Sequence, residues 1–245
     1  MIRNALILAA GRGVRMRPLT DTTPKPLLEV GGKRLIEYHL EKLARAGVHE
    51  VVINTSHLAE QFPLALGDGA RWNLRIHYSH EGPIPLETGG GMLHALRLLG
   101  DGPFIAVNGD VWTDFDFSTL QLAPETLADL VLIDNPPHHL RGDFGIDATG
   151  HLHAQPDSPA AGALRALTFA GIGVYRPQLF VDWRRHLDDT PGVHAMPPRF
   201  SIVPLLRALM PTGQVSWQRH DGEWADIGTP ERLAERDNSL RTQRG

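Results

Sequence analysis

The sequence predicts an α/β fold, a Rossmann-like and mostly parallel sheet flanked by helices. Three observations carry that expectation. Strand-like and helix-like segments alternate through the first half of the chain. The strand-like runs are apolar at consecutive positions, as parallel strands buried on both faces are. A glycine or a turn cluster bounds each segment.

Taken in order, residues 5–8 form the first strand, and a glycine-rich, arginine-rich excursion follows it. A helix is expected over 35–46, closed by Gly47. Strands follow at 51–54 and, where Leu74, Ile76 and Tyr78 alternate with polar residues, in a half-buried run. The second helix is expected over 91–99, because Met92, Leu93, Leu96 and Leu99 share one face before Gly100. Both helices are placed as crossovers between parallel strands. Further strands read at 104–108 and 130–133. The stretch "HLHAQPDSPAAGALRA" (151–166) reads as an irregular, mobile loop. A strand at 167–175 then precedes helices at 202–210 and 230–240, the last opened by Thr229 as N-cap with Pro230 in the first position.

The chain has 245 residues, 42% of them hydrophobic, and no internal repeat or linker interrupts it, so one domain over 1–245 is expected. A net charge of −4 gives no general attraction to nucleic acid or to an anionic membrane. Without cysteine there are no disulfides, zinc–thiolate sites or thiol nucleophiles. The opening "MIRNALILAAG" is too short an apolar run for a signal peptide or a membrane span, which points to the cytoplasm.

Ligands of open α/β sheets lie at the carboxyl ends of strands. Three such ends stand out: "AAGRG" after the first strand, "NGDVW" (108–112), and "WADIGTPERL" (224–233). The first is not a phosphate loop of the G-x-x-x-x-G-K-[ST] type, and Met16 replaces the third glycine of the dinucleotide pattern. Yet Arg12, Arg15, Arg17 and Lys25 crowd into one excursion beside exposed backbone amides, and a polyphosphate is the ligand that suits both. Asp114, Asp116, Ser118 and Glu125 mimic a calcium loop, but Thr119 stands where its glycine is required. His138-His139 and His151-x-His153 lack a matched third metal ligand.

The run Gly11-Arg12-Gly13-Val14-Arg15-Met16-Arg17-Pro18-Leu19-Thr20, then Pro24-Lys25-Pro26-Leu27, resembles the signature of the sugar-1-phosphate nucleotidyltransferases. The resemblance continues through "EGPIPLETGGGM" (81–92), "NGDVW" and "WADIGTPERL". It implies the nucleotide-diphospho-sugar transferase fold, GT-A-like, with a nucleotide-binding part over about 1–113 and a sugar-binding part over about 114–245. It implies that Arg15 and Lys25 are catalytic, Arg15 on the outer phosphates and Lys25 at the α-phosphate. Ala9, Ala10, Gly11, Gly13, Val14, Glu81, Thr88 and Gly89 would complete the nucleotide site. Asp110 and Asp226 would hold Mg²⁺. Asn108, Trp112, Arg141, Gly142, Asp143, Thr168 and Arg199 would line the acceptor pocket.

A Glu-Lys-Pro found in many relatives is missing near 151–166, so Arg199 or Arg165 would supply its charge, or Lys25 would serve alone. Glu81 alone suits both UTP and GTP. The stretches "NGDVWTDFDF", "LIDNPPHHLRGDF" and "LTFAGIGVY" are most similar to members that use UTP and N-acetylmuramate 1-phosphate in peptidoglycan recycling. A mannose-1-phosphate guanylyltransferase and an inactive sugar-nucleotide-binding regulator are the alternatives. Assembly state is not readable.

Overall fold

The structure is a computed structural model that describes residues 1–157, 164–187 and 190–242. The first half runs β1 (Asn4–Leu8), the short hairpin β2 (Glu29–Val30) and β3 (Lys33–Arg34), α1 (Leu35–Arg45), β4 (Glu50–Thr55), α2 (Gln61–Leu66), β5 (Arg75–His80), α3 (Glu87–Leu99), β6 (Phe104–Asn108) and β7 (Val111–Thr113). The second half runs β8 (Ala128–Ile133), β9 (Phe144–Ile146), β10 (Leu152–His153), β11 (Arg165–Tyr175), α4 (Trp183–Leu187), α5 (Ile202–Leu209), β12 (Val215–Arg219), β13 (Trp224–Asp226) and α6 (Pro230–Thr242).

β5, β4, β1 and β6 lie side by side in parallel, joined through α1 and α3 as expected. β11 adds to β6 in the opposite sense, β8 adds antiparallel to β11, and β12 adds parallel to β8. The main sheet is thus ordered β12-β8-β11-β6-β1-β4-β5 with β11 alone reversed, while the start of β11 also carries β9 and β10. A small second sheet pairs β7 with β13.

Burial on both faces explains the apolar runs. In β1, Leu6 packs with Met92, Ala95 and Leu99 of α3 on one face, while Ala5 and Ile7 pack with Leu40 and Leu43 of α1 on the other. Burying such a side chain contributes roughly 1.5–3 kcal/mol. The parallel strands therefore form the rigid centre whose carboxyl ends carry the site.

Several boundaries differ from expectation. α3 begins at Glu87 rather than at 91, because Gly89 and Gly90 donate their N–H groups to Phe200 O and so start the helix against the 198–200 segment. The stretch 151–166 is not irregular throughout: Leu152 and His153 pair with β9, and Arg165 already belongs to β11. Residues 158–163 of that stretch lie outside the described residues. Thr229 does accept from Arg232 N (3.4 Å) at the start of α6. Among the described residues no helix is long and apolar enough to cross a membrane.

Candidate active site

The carboxyl ends of β1, β4 and β6 open onto a cleft of about 530 Å³, lined among others by Ala9, Ala10, Gly11, Arg12, Gly13, Val14, Arg15, Lys25, Asn54, Glu87, Thr88, Asn108 and Asp110. A second cleft of about 360 Å³ continues from it and shares Arg15, Asn108 and Asp110; its other walls include His138, His139, Asp143, Thr168, Trp224 and Asp226. The site is therefore two-chambered, with a cation and a carboxylate at the junction.

The glycine loop is held from behind. Met16 is fully buried, Thr20 Oγ1 donates to Gly13 O (2.8 Å), and His57 Nε2 lies 2.9 Å from Thr20 O. Gly13 sits at φ +61°, and a Cβ there would fall 2.8 Å from Thr20 Cγ2, so both backbone and space demand glycine. Among the described residues the N–H groups of Gly11 through Arg15 have no protein acceptor, while Met16 N closes the turn on Gly13 O (2.8 Å). Such a run of free donors beside Arg15 is an anion cradle.

Lys25 is 7% exposed, and its Nζ donates to Asp110 Oδ2 at 2.7 Å and stands 4.0 Å from Asp226 Oδ1. The two carboxylates reach one point because β13 runs antiparallel to β7, which sets Asp226 against Val111, and Ile227 N donates to Asp110 O (3.0 Å). Arg232 of α6 donates to Asp226 Oδ2 (2.7 Å). Arg232 was not legible as a site residue, since only tertiary packing turns this face of α6 toward Asp226.

Glu81 does not line the cleft. Its Oε1 accepts from Asn54 Nδ2 (2.6 Å) and its Oε2 from Leu86 N (2.7 Å), and Asn54 Oδ1 in turn accepts from Ala9 N (2.6 Å). Burial raises the Glu81 carboxyl above its ordinary range, and the Leu86 and Asn54 donors offset a part of that. Glu81 is thus a bracket behind the wall, tying the tips of β1 and β4 to the start of α3. A base would meet this network only through its front. Asn54, which lines the cleft, was not singled out in the sequence, although it is the polar residue at the end of the strand expected over 51–54.

In the second chamber, Asp143 Oδ1 lies 3.1 Å from His139 Nε2 and its Oδ2 accepts from Phe169 N (2.9 Å). Thr168 lines the chamber but its hydroxyl is donated to Asn135 Oδ1 (2.8 Å). His138 lies 3.9 Å from Asp226; burial lowers the ring's pKa, Arg232 lowers it further and Asp226 opposes.

Four expected acceptor residues line neither chamber. Trp112 faces away: alternation along β7 sends Val111 into the second chamber and Trp112 into a cluster with Met16, Tyr38 and Ile227. Arg141 points to solvent against Asp157 (3.1 Å). Gly142 forms the turn ahead of Asp143, its N–H bonded to His139 O (3.2 Å). Arg199 stands 3.9 Å from Glu87, on the nucleotide side. Arg165 pairs with Asp134 (2.8 Å) outside both chambers.

A mostly parallel sheet thus carries an amide-rich cationic loop at one strand end and a carboxylate pair beside the next. Over residues 4–243 the sequence matches the nucleotidyl transferase family, and the chain belongs to it. It is 47% identical over 239 residues to the N-acetylmuramate alpha-1-phosphate uridylyltransferase of Neisseria meningitidis serogroup B, covering 94% of this chain and 95% of that one. It is 32% identical to the protein of the same name from Caulobacter vibrioides, covering 93% and 92%. Among solved structures, one assigned as a glucose-1-phosphate thymidylyltransferase of Bacillus anthracis superposes with a TM-score of 0.76 over 98% of this chain and 96% of its own, at 18% identity, which shows the nucleotide-diphospho-sugar transferase fold.

Proposed function

We propose that the protein transfers the uridylyl group of UTP to N-acetyl-α-D-muramate 1-phosphate, giving UDP-N-acetylmuramate and pyrophosphate, in cytoplasmic recycling of peptidoglycan. One observation carries the reading: two chambers meet at Arg15 and Asp110, so that two phosphorylated ligands, one in each, would bring their phosphates together there. The names of the two relatives supply the particular substrates.

In this reaction a phosphate oxygen of the sugar 1-phosphate attacks the α-phosphorus, and the bond to the β-phosphate oxygen breaks. The nucleophile is already ionised, so no general base is needed. The barrier is the gathering of negative charge, which positioning and cations must overcome. The amides of Gly11 to Arg15 hold the triphosphate, Arg15 spans its outer phosphates, and Lys25, buried and aimed at the junction, meets the charge at the α-phosphorus.

Asp110 and Asp226 fit Mg²⁺: they are hard oxygen donors within reach of one Nζ, and no third acidic or histidine side chain among the described residues joins them, which suits an ion that keeps its waters and takes phosphate oxygens. When bound, it supplies charge neutralisation on the phosphates. Lys25 would then turn from Asp110 toward phosphate. Phosphorus NMR of protein, UTP, Mg²⁺ and N-acetylmuramate 1-phosphate tests the reading: it predicts the paired resonances of a UDP-sugar together with pyrophosphate, and an unchanged spectrum contradicts it.

A further inference from the structure

A side pocket of about 130 Å³ opens where the two chambers meet: it shares Leu8, Thr88 and Asn108 with the first, and Asn108, Phe169 and Gly171 with the second. We infer that this pocket receives the 2-acetamido group of the acceptor, and that Asn108 is the residue that reads its amide. This rests on the muramate reading and assigns what makes the site select an N-acetylated sugar.

The connectivity of the acceptor brings the group here. Its phosphate sits on the anomeric carbon and must reach the junction of the chambers, and the very next ring carbon carries the acetamido group. The acidic ether lies one carbon further out. The lining matches an amide capped by a methyl. Among the described residues no charged side chain borders the pocket, and Leu8, Met92, Ala106, Phe169, Ile202 and Val203 give it an apolar wall. A free amine or a carboxylate placed there would be an uncompensated charge, whereas a methyl gains by leaving water. The side-chain amide of Asn108 has no hydrogen-bond partner among the described residues, so both its N–H and its C=O are available to a second amide.

β11 makes the space by leaving two side chains out. At Gly171, φ +72°, a Cβ would fall 2.5 Å from Asn108 Nδ2, and at Gly173 a Cβ would fall 3.0 Å from the Tyr175 hydroxyl. The Tyr175 ring thus reaches back over Gly173 toward the Gly171 end of the strand. Its hydroxyl is buried without a partner among the described residues, and the oxygen of an acetyl group would satisfy it. Across the pocket, Thr88 Oγ1 accepts from Ile202 N (2.9 Å), which fixes the start of α5 as the facing wall. The pocket is therefore framed by β1, β6, β11, α3 and α5, the rigid elements a specificity site needs.

Acceptors that differ only at carbon 2 test this, compared by kcat/KM at saturating UTP and Mg²⁺: N-acetylmuramate 1-phosphate, its 2-hydroxy analogue, and an N-naphthoyl analogue too bulky for the pocket. In the unaltered protein the acetamido sugar should exceed each of the others by about tenfold or more, the worth of a buried methyl and one hydrogen bond. Val203→Phe, which fills the pocket, and Asn108→Ala, which removes its amide, should each bring the acetamido and hydroxy acceptors to within about threefold of one another. Because each protein is compared with itself, partial misfolding cancels, and the naphthoyl comparison needs no variant. A naphthoyl acceptor used as well as the acetyl one overturns the inference, as does a tenfold acetamido preference that persists in Val203→Phe; one that persists in Asn108→Ala overturns the role of that amide. Equal use of the acetamido and hydroxy acceptors by the unaltered protein overturns the inference while the muramate reading stands. If none of the three is turned over but another sugar 1-phosphate is, the muramate reading fails and the inference with it.

Discussion

At Lys25 and its two carboxylates the account rests on single atoms. A lysine between two acids in an apolar wall is held by them, and a phosphate can displace that hold. If Lys25 acts mainly on the charge that builds at the α-phosphorus, Lys25→Ala should lower kcat by about 10²-fold or more with a smaller change in KM for UTP. Single-turnover kinetics would check that chemistry is being read. Asp110→Asn and Asp226→Asn should each remove most turnover at saturating Mg²⁺ with little change in melting temperature; a variant that keeps half the rate has lost only a structural acceptor. His39 makes a different prediction. Buried on α1 with its ring stacked on Phe117, it is lowered from 6.5 to about 4, chiefly by burial. The unfolded chain then binds more protons than the folded one between pH 6.5 and about 4, so stability falls as pH drops through that window, by about 3 kcal/mol at its foot. The pH dependence of the melting temperature should be steeper for the native chain than for His39→Leu within that window and run parallel to it above the window. Asp110 and Asp226 were legible as carboxylates beside strand ends, and Lys25 through the crowding of cations after the first strand and the family signature around it. That His138 and His139 line the second chamber was not legible, since it depends on which wall the 136–143 turn faces. Trp112 was misplaced because the sequence does not say which way a short strand turns.

At the scale of elements, the start of α3 carries the most testable packing. A Cβ on Gly91 would fall 2.6 Å from both Asn54 Nδ2 and Glu81 Oε1, in the middle of the bracket that ties β1 and β4 to this helix. Gly91→Ala gains up to about 1 kcal/mol of helix propensity. It must also break or displace buried polar pairs worth about 1–3 kcal/mol each. We expect net destabilisation, seen as a melting temperature lower by several degrees, and a raised KM for UTP because Ala9 and Asn54 line the nucleotide chamber. An unchanged melt and KM would mean the bracket has room to give. Sequence reading recovered β1, β4, β6, β8, β11, α1, α5 and α6, the strands among them because burial on both faces shows as apolar runs. Those it missed have physical reasons: β12 reads Val-Ser-Trp-Gln-Arg at the sheet edge, α2 carries Pro63 within its first turn, and β7 with β13 is three residues long on each side. The start of α3 was lost because three glycines in a row read as loop, although the 198–200 segment packs on them here.

At the scale of the whole molecule, the carboxyl edge of the main sheet carries the amide loop, the lysine and Asp110, the small β7–β13 sheet sets Asp226 beside them, and the reversed strand β11 lines a second chamber next to the first. That arrangement is the one the proposed joining of two anionic ligands needs. Base choice was open from Glu81, which in the structure is bonded to Asn54 and Leu86 N and does not line the cleft. The most direct measurement is pyrophosphate release across four nucleoside triphosphates and a set of sugar 1-phosphates including N-acetylmuramate, N-acetylglucosamine, glucose and mannose. The account predicts the largest kcat/KM for UTP with N-acetylmuramate 1-phosphate in Mg²⁺; a maximum for GTP with mannose 1-phosphate, or no release from any pair, would contradict it.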